Sequence, residues 1–171
     1  MIKESMVKAI NEQINEELFS SYLYLAMAAQ CEDLALGGFA NWMKVQAQEE
    51  LTHAMKFFHY VCERGGRVDL KAIAEPRKEW KNVLEMFEET YEHECHISEC
   101  INKLVDLAIK ERDYATQNML QWFVEEQVEE EAAADELVQK LKLMGDAQGA
   151  MFMMDRELAS RTFVDETAGG E

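Results

Sequence analysis

The sequence predicts an all-α fold: a four-helix bundle with one long crossover between its second and third helices and a short fifth helix at the C-terminal end. Three observations carry this. Proline occurs once, at Pro76, and the eight glycines cluster at Gly37-Gly38, Gly65-Gly66, Gly145, Gly149 and the extreme C-terminus, so helix breakers fall between segments and not within them. Four long stretches of similar length carry apolar residues at helical spacing. Two of the links between them are short and one is long, which sets the topology.

Taken in order, helix A is expected over about 4–33 and helix B over about 38–64, after the Gly37-Gly38 break. Helix C, about 82–111, opens with Asn82 and Glu85 at the spacing of a capping box. Asp113 can cap helix D, about 114–143, after a break at Glu111-Arg112, and a short helix E covers about 148–162. Short A–B and C–D links make each pair an antiparallel hairpin. The B–C link, Gly65 to Lys81, extends to roughly 50 Å, more than the ~40 Å of a 27-residue helix. It can return the chain along the bundle and leave B and C parallel. Residues 1–164 read as one domain, and 165–171 as a polar, frayed tail.

A formal charge of −17, from 17 Lys+Arg against 34 Asp+Glu, disfavours nucleic acid and anionic membranes and favours cations. With 48% hydrophobic residues the acidity sits on a folded domain. The longest apolar run, Tyr22 to Ala29, is too short to span a bilayer, and the first residues lack a secretory h-region, so a cytoplasmic protein is expected. Cys31, Cys62, Cys95 and Cys100 form no C-x-x-C pair and read as reduced thiols, mostly packing residues. No phosphate loop, nucleophile elbow or H-E-x-x-H is present.

The chemistry lies in the helix seams. On A, positions 10, 14, 17, 21, 24 and 28 read Ile, Ile, Glu, Ser, Tyr, Ala, with Glu17 the one charge. On B, positions 39, 43, 46, 50, 53 and 57 read Phe, Met, Gln, Glu, His, Phe, placing Glu50 and His53 on neighbouring parts of one face. The C seam holds a single carboxylate, Glu94, and the D seam holds Gln127 and Glu130 in an otherwise apolar stripe. Singly, each is more often a boundary residue or a hydrogen-bonded core residue than a ligand. All lie near mid-helix, however, and mid-helix residues of a bundle share one layer. Four carboxylates and a histidine with no Lys or Arg beside them would be costly in an apolar core, and a multivalent cation resolves the conflict; five O/N ligands with one bridging carboxylate suit two ions. Crowding predicts that Glu50, Glu94 and Glu130 titrate as a coupled group with raised pKa values.

Tyr24, on the Glu17 face, is a candidate partner for that layer. In the run Glu125 to Glu131, by default a solvated acidic face, Glu126 lies about 40° and Glu129 about 100° from Glu130 on the same side, so both can extend the site, and Glu49 flanks B where His53 leans. Adjacent helical residues diverge, so His93 and Cys95 are read as non-ligands, as is His59.

These stretches, above all Asn15 to Tyr24, Gln48 to Ala54, Tyr91 to Glu94 and Leu120 to Glu130, resemble the non-haem bacterial and archaeal ferritins over about residues 5–163. The general di-iron pattern has two Glu-x-x-His motifs. Glu50-Leu51-Thr52-His53 is one, but Gln127-Val128-Glu129-Glu130 lacks the second His, as in storage ferritins. Leu51 stands where bacterioferritins carry a haem-ligating methionine, so no haem is expected.

The resemblance implies a ferritin-like bundle, two ferrous ions per subunit held by Glu17, Glu50 and His53 and by Glu50, Glu94 and Glu130, and Tyr24 and Gln127 beside them. It also implies a third iron at Glu49, Glu126, Glu129 and Glu130, oxygen or hydrogen peroxide as oxidant, and a 24-subunit homo-oligomeric cage storing ferric mineral. The alternatives are a di-iron peroxide or oxygen reductase that stores nothing, separable by iron per particle, and an acidic helical scaffold that binds no metal.

Overall fold

The computed structural model describes residues 1–145, 147–165 and 167. Among these it contains five helices and no strand: α1 (Glu4–Asp33), α2 (Gly37–Glu63), α3 (Val83–Glu111), α4 (Tyr114–Met144) and α5 (Gln148–Leu158). The expected frayed tail, 165–171, lies largely outside the described residues.

Local chemistry accounts for the helix boundaries. Asn82 caps α3 by accepting from the Glu85 N–H at 2.9 Å, while the Glu85 carboxylate takes the Lys81 N–H one residue outside the cap. Asp113 caps α4 through the Thr116 N–H at 3.1 Å and is held by Arg64 from the end of α2. Leu36, at the start of α2, has no side-chain acceptor. Asp155 of α5 supplies one instead: its Oδ1 accepts from the Gly38 and Phe39 N–H groups at 2.7 and 3.1 Å. Helix α5 ends earlier than its apolar pattern suggests, because the Asn41 amide draws the Leu158 and Arg161 carbonyls onto α2 at 3.1 and 2.9 Å.

The long link follows α1 from one end towards the other. Asn11 bonds the backbone of Arg67 and Asp69, and Gln30 exchanges two hydrogen bonds with the backbone of Trp80, both at 2.7 Å. Those anchors on α1 lie about 28 Å apart at the helical rise. Met86 near the start of α3 meets Cys31 near the end of α1, and Tyr60 near the end of α2 meets Thr116 near the start of α4. Helices α2 and α3 therefore run parallel, as the link length required.

The apolar core divides into two clusters. One gathers Tyr24, Met27, Phe39, Met43, Trp80 and Phe87; the other gathers Ile10, Ile14, Phe57, Ile97, Leu120 and Phe123. Each of α1, α2, α3 and α4 passes from one cluster to the other through its polar seam residues. Of the expected seam positions only Ser21 departs: it is half-buried and donates to the Ala47 carbonyl at 2.7 Å, while Ser20 takes the buried place. Cys31 alone of the four cysteines is a buried packing residue; Cys62 is exposed and Cys95 and Cys100 are intermediate. Among the described residues no helix is long and apolar enough to cross a membrane.

Candidate metal centre

Between the two apolar clusters, α1 contributes Glu17, α2 Glu50 and His53, α3 Glu94, and α4 Gln127 and Glu130, all at most 7% exposed. Glu17, Glu50 and His53 each turn a ligand atom to within 4.8 Å of the others, and His53, Glu126 and Glu130 do the same. His53 Nδ1 stands 3.4 Å from Glu50 Oε2. Glu94 lies outside both triplets and is held from two sides, by the Tyr24 hydroxyl on one oxygen and the Gln127 amide on the other at 3.2 Å.

Amides orient the remaining oxygens. Gln13, one turn before Glu17, donates to its Oε1 at 2.9 Å. Glu17 Oε2 is buried with no hydrogen-bond partner. That orphaned acceptor faces a group of ligands with no lysine or arginine among them, the arrangement a divalent cation satisfies. Gln46 donates to Glu50 Oε1 at 3.0 Å and to Glu130 Oε2 at 2.7 Å, linking two carboxylates from different helices.

Burial pushes Glu17, Glu94 and Glu130 up, and the charge of a neighbouring carboxylate adds to it, with Glu94 reaching about 8. Glu50 departs from the expected rise. Burial raises it, but the hydrogen bond and charge of His53 and the Gln46 amide outweigh that and hold it below its ordinary value. Burial lowers His53, and Glu50, with the charges of Glu17 and Glu130, overrides it to give about 10. In the metal-free centre Glu50 and His53 thus form the charged pair, and burial biases Glu17, Glu94 and Glu130 towards their protonated forms.

The third expected cluster assembles only in part. Glu126 joins Glu130 at His53, its Oε1 3.9 Å from Nε2. Glu129 is exposed and belongs to neither triplet, because its helical phase turns it outward from α4. Glu49 is turned towards Arg161, whose Nη2 lies 2.5 Å from its Oε2. His93 is bonded to Ser20 at 2.7 Å and stands edge-on to Tyr24, and His59 is exposed. Three contributors escaped the sequence: Gln13, Gln46 and Arg161. Gln46 stood in the polar part of its seam, and Gln13 lies four residues from Glu17, so both carried a signal. Arg161 follows a short helix with no periodic relation to α2 and carried none.

Comparison with known proteins shows the family. The model of the ferritin-like domain matches residues 7–144. A bacterial non-heme ferritin of Bacteroides fragilis is 46% identical over 161 residues, 94% of this chain and all of that protein. One from Staphylococcus haemolyticus is 37% identical over 97% of this chain and all of that protein. A closed form of the Archaeoglobus fulgidus ferritin, engineered by site-directed mutagenesis, superposes with a TM-score of 0.95 at 52% identity, covering 96% of this chain and 100% of the other.

Proposed function

This chain belongs to the ferritin family of iron-storage proteins, and we propose that it oxidises ferrous iron at the mid-bundle carboxylate centre and stores the ferric product inside a 24-subunit cytoplasmic cage. The observation that carries the oxidation step is the buried layer of Glu17, Glu50, His53, Glu94 and Glu130 with an orphaned oxygen on Glu17. Two ferrous ions are the substrate. Glu17 and His53 hold one, Glu94 and Glu130 the other, and Glu50 bridges them, with Tyr24 and Gln127 fixing Glu94. Each ion gives up one electron; the pair reduces oxygen, with two protons, to hydrogen peroxide, or hydrogen peroxide, with two protons, to two waters.

The chain's own part is binding, orientation and proton handling. The neutral acids and the imidazolium lose protons as iron replaces them, so the centre exchanges bound protons for bound metal. The apolar clusters above and below restrict water to the metal layer. Glu126 and Glu130, with Glu49 on the flank, form a third position that receives iron after the first oxidation, and Glu129 faces outward from it. Glu50→Ala tests the centre. Stopped-flow oxidation at two ferrous ions per subunit is expected to lose its fast phase while the particle stays assembled, and a wild-type initial rate would refute the assignment.

A further inference from the structure

Among the described residues of the C-terminal segment, Arg161 reaches the metal centre. Arg161, three residues past the end of α5, lays its guanidinium over the Trp42 ring at 4.5 Å. Its Nη1 donates to Gln46 Oε1 at 3.0 Å and to the Trp42 carbonyl at 3.3 Å, and its Nη2 donates to Glu49 Oε2 at 2.5 Å. Arginine is donor-only, so it holds the oxygen of the Gln46 amide towards itself and the amino group towards Glu50 and Glu130. Glu49 is 18% exposed and Arg161 26%, so solvent screens this pair less than an open surface bridge.

We propose that Arg161 is a built-in counter-cation for the Glu49 side of the centre, which a third metal ion must displace to gain Glu49 as a ligand. This rests on the metal-centre reading above. A guanidinium and a divalent ion repel one another across a single carboxylate, so Arg161 yields to the ion by moving. Movement is resisted from its own backbone, since the Arg161 carbonyl is bonded to Asn41 at 2.9 Å. Filling the third position therefore loosens the segment after α5, and by reciprocity loosening that segment favours the third ion.

The test is calorimetric titration of the assembled, metal-free protein with Zn²⁺, a redox-inert probe, comparing wild type with Arg161→Gln and Arg161→Lys. The glutamine variant should bind its third ion about tenfold more tightly, the release of one charge-assisted ion pair, with the first two ions within about threefold of wild type. The lysine variant, which keeps the charge, should stay near wild type. In wild type, cleavage by a protease in the segment after α5 should rise as the third ion binds. A purely structural role for Arg161 would weaken all ions alike, and that result, unchanged third-ion affinity in Arg161→Gln, or only two ions in both proteins, overturns the proposal while leaving the di-metal centre standing. Absence of saturable Zn²⁺ binding in either protein overturns the centre and this proposal together.

Discussion

Replacing Gly38 by alanine isolates how the C-terminal helix is seated. A methyl group on Gly38 would fall 1.6 Å from the Asp155 carbonyl oxygen and 2.5 Å from its carbon, backbone atoms that cannot rotate aside. Restoring ordinary separation needs a shift of more than an ångström between α2 and α5. Such a shift breaks the hydrogen bonds from Gly38 and Phe39 to Asp155, the cap of α2, at a cost of about 1–2 kcal/mol. Overpacking against the Asp155 backbone adds about 1–3 kcal/mol, so the expected loss is about 2–5 kcal/mol. Gly37 is the internal control, because nothing lies within 4 Å of a methyl group there. Gly37→Ala should be neutral or stabilising by up to about 1 kcal/mol. Amide hydrogen exchange is the assay: α5 amides should lose protection in Gly38→Ala and keep it in Gly37→Ala. Equal protection in the two variants would refute the argument that backbone contact at Gly38 seats α5.

Two further outcomes follow from the same geometry. In the metal-free protein Glu94 keeps its proton to about pH 8 whereas an unfolded Glu releases it near 4.5, and His53 keeps its proton to about pH 10 against an ordinary 6.5. The folded state thus binds more protons across both windows, and stability falls as pH rises, most steeply where the two windows overlap between pH 6.5 and 8. Thermal melts should show this decline, saturating Zn²⁺ should flatten it, and a rise in melting temperature from pH 6.5 to 8 without metal would contradict it. Separately, Arg112 holds a left-handed backbone at φ 57° after α3, so Arg112→Gly should stabilise by about 0.5–1 kcal/mol, read from the denaturation midpoint.

The bundle was legible because helix punctuation and seam periodicity are local properties. Asn82 and Asp113 announce helix starts by residue type, and every expected seam position on α2, α3 and α4 is buried. The five ligand candidates were legible for the same reason, a charged residue being conspicuous in an apolar stripe. What periodicity cannot convey is a partner on another helix. Gln46 reads as one more polar seam residue until its amide is seen joining Glu50 to Glu130. The fall in Glu50 where a rise was expected has the same origin, because it depends on which carboxylate His53 faces. Asp155 capping α2 from over a hundred residues away lies beyond any local pattern.

The central claim is that oxidation at the carboxylate layer feeds a store, and iron per assembled particle tests it most directly. Ferrous iron is added aerobically in small increments well beyond two per subunit, the particle is separated from free iron by size, and bound iron is counted against protein. Storage predicts a particle near half a megadalton that accumulates iron continuously, to hundreds of atoms each, with the excess remaining soluble. A count that stops at two or three per subunit while further iron precipitates would contradict it, leaving a di-iron oxidase that stores nothing.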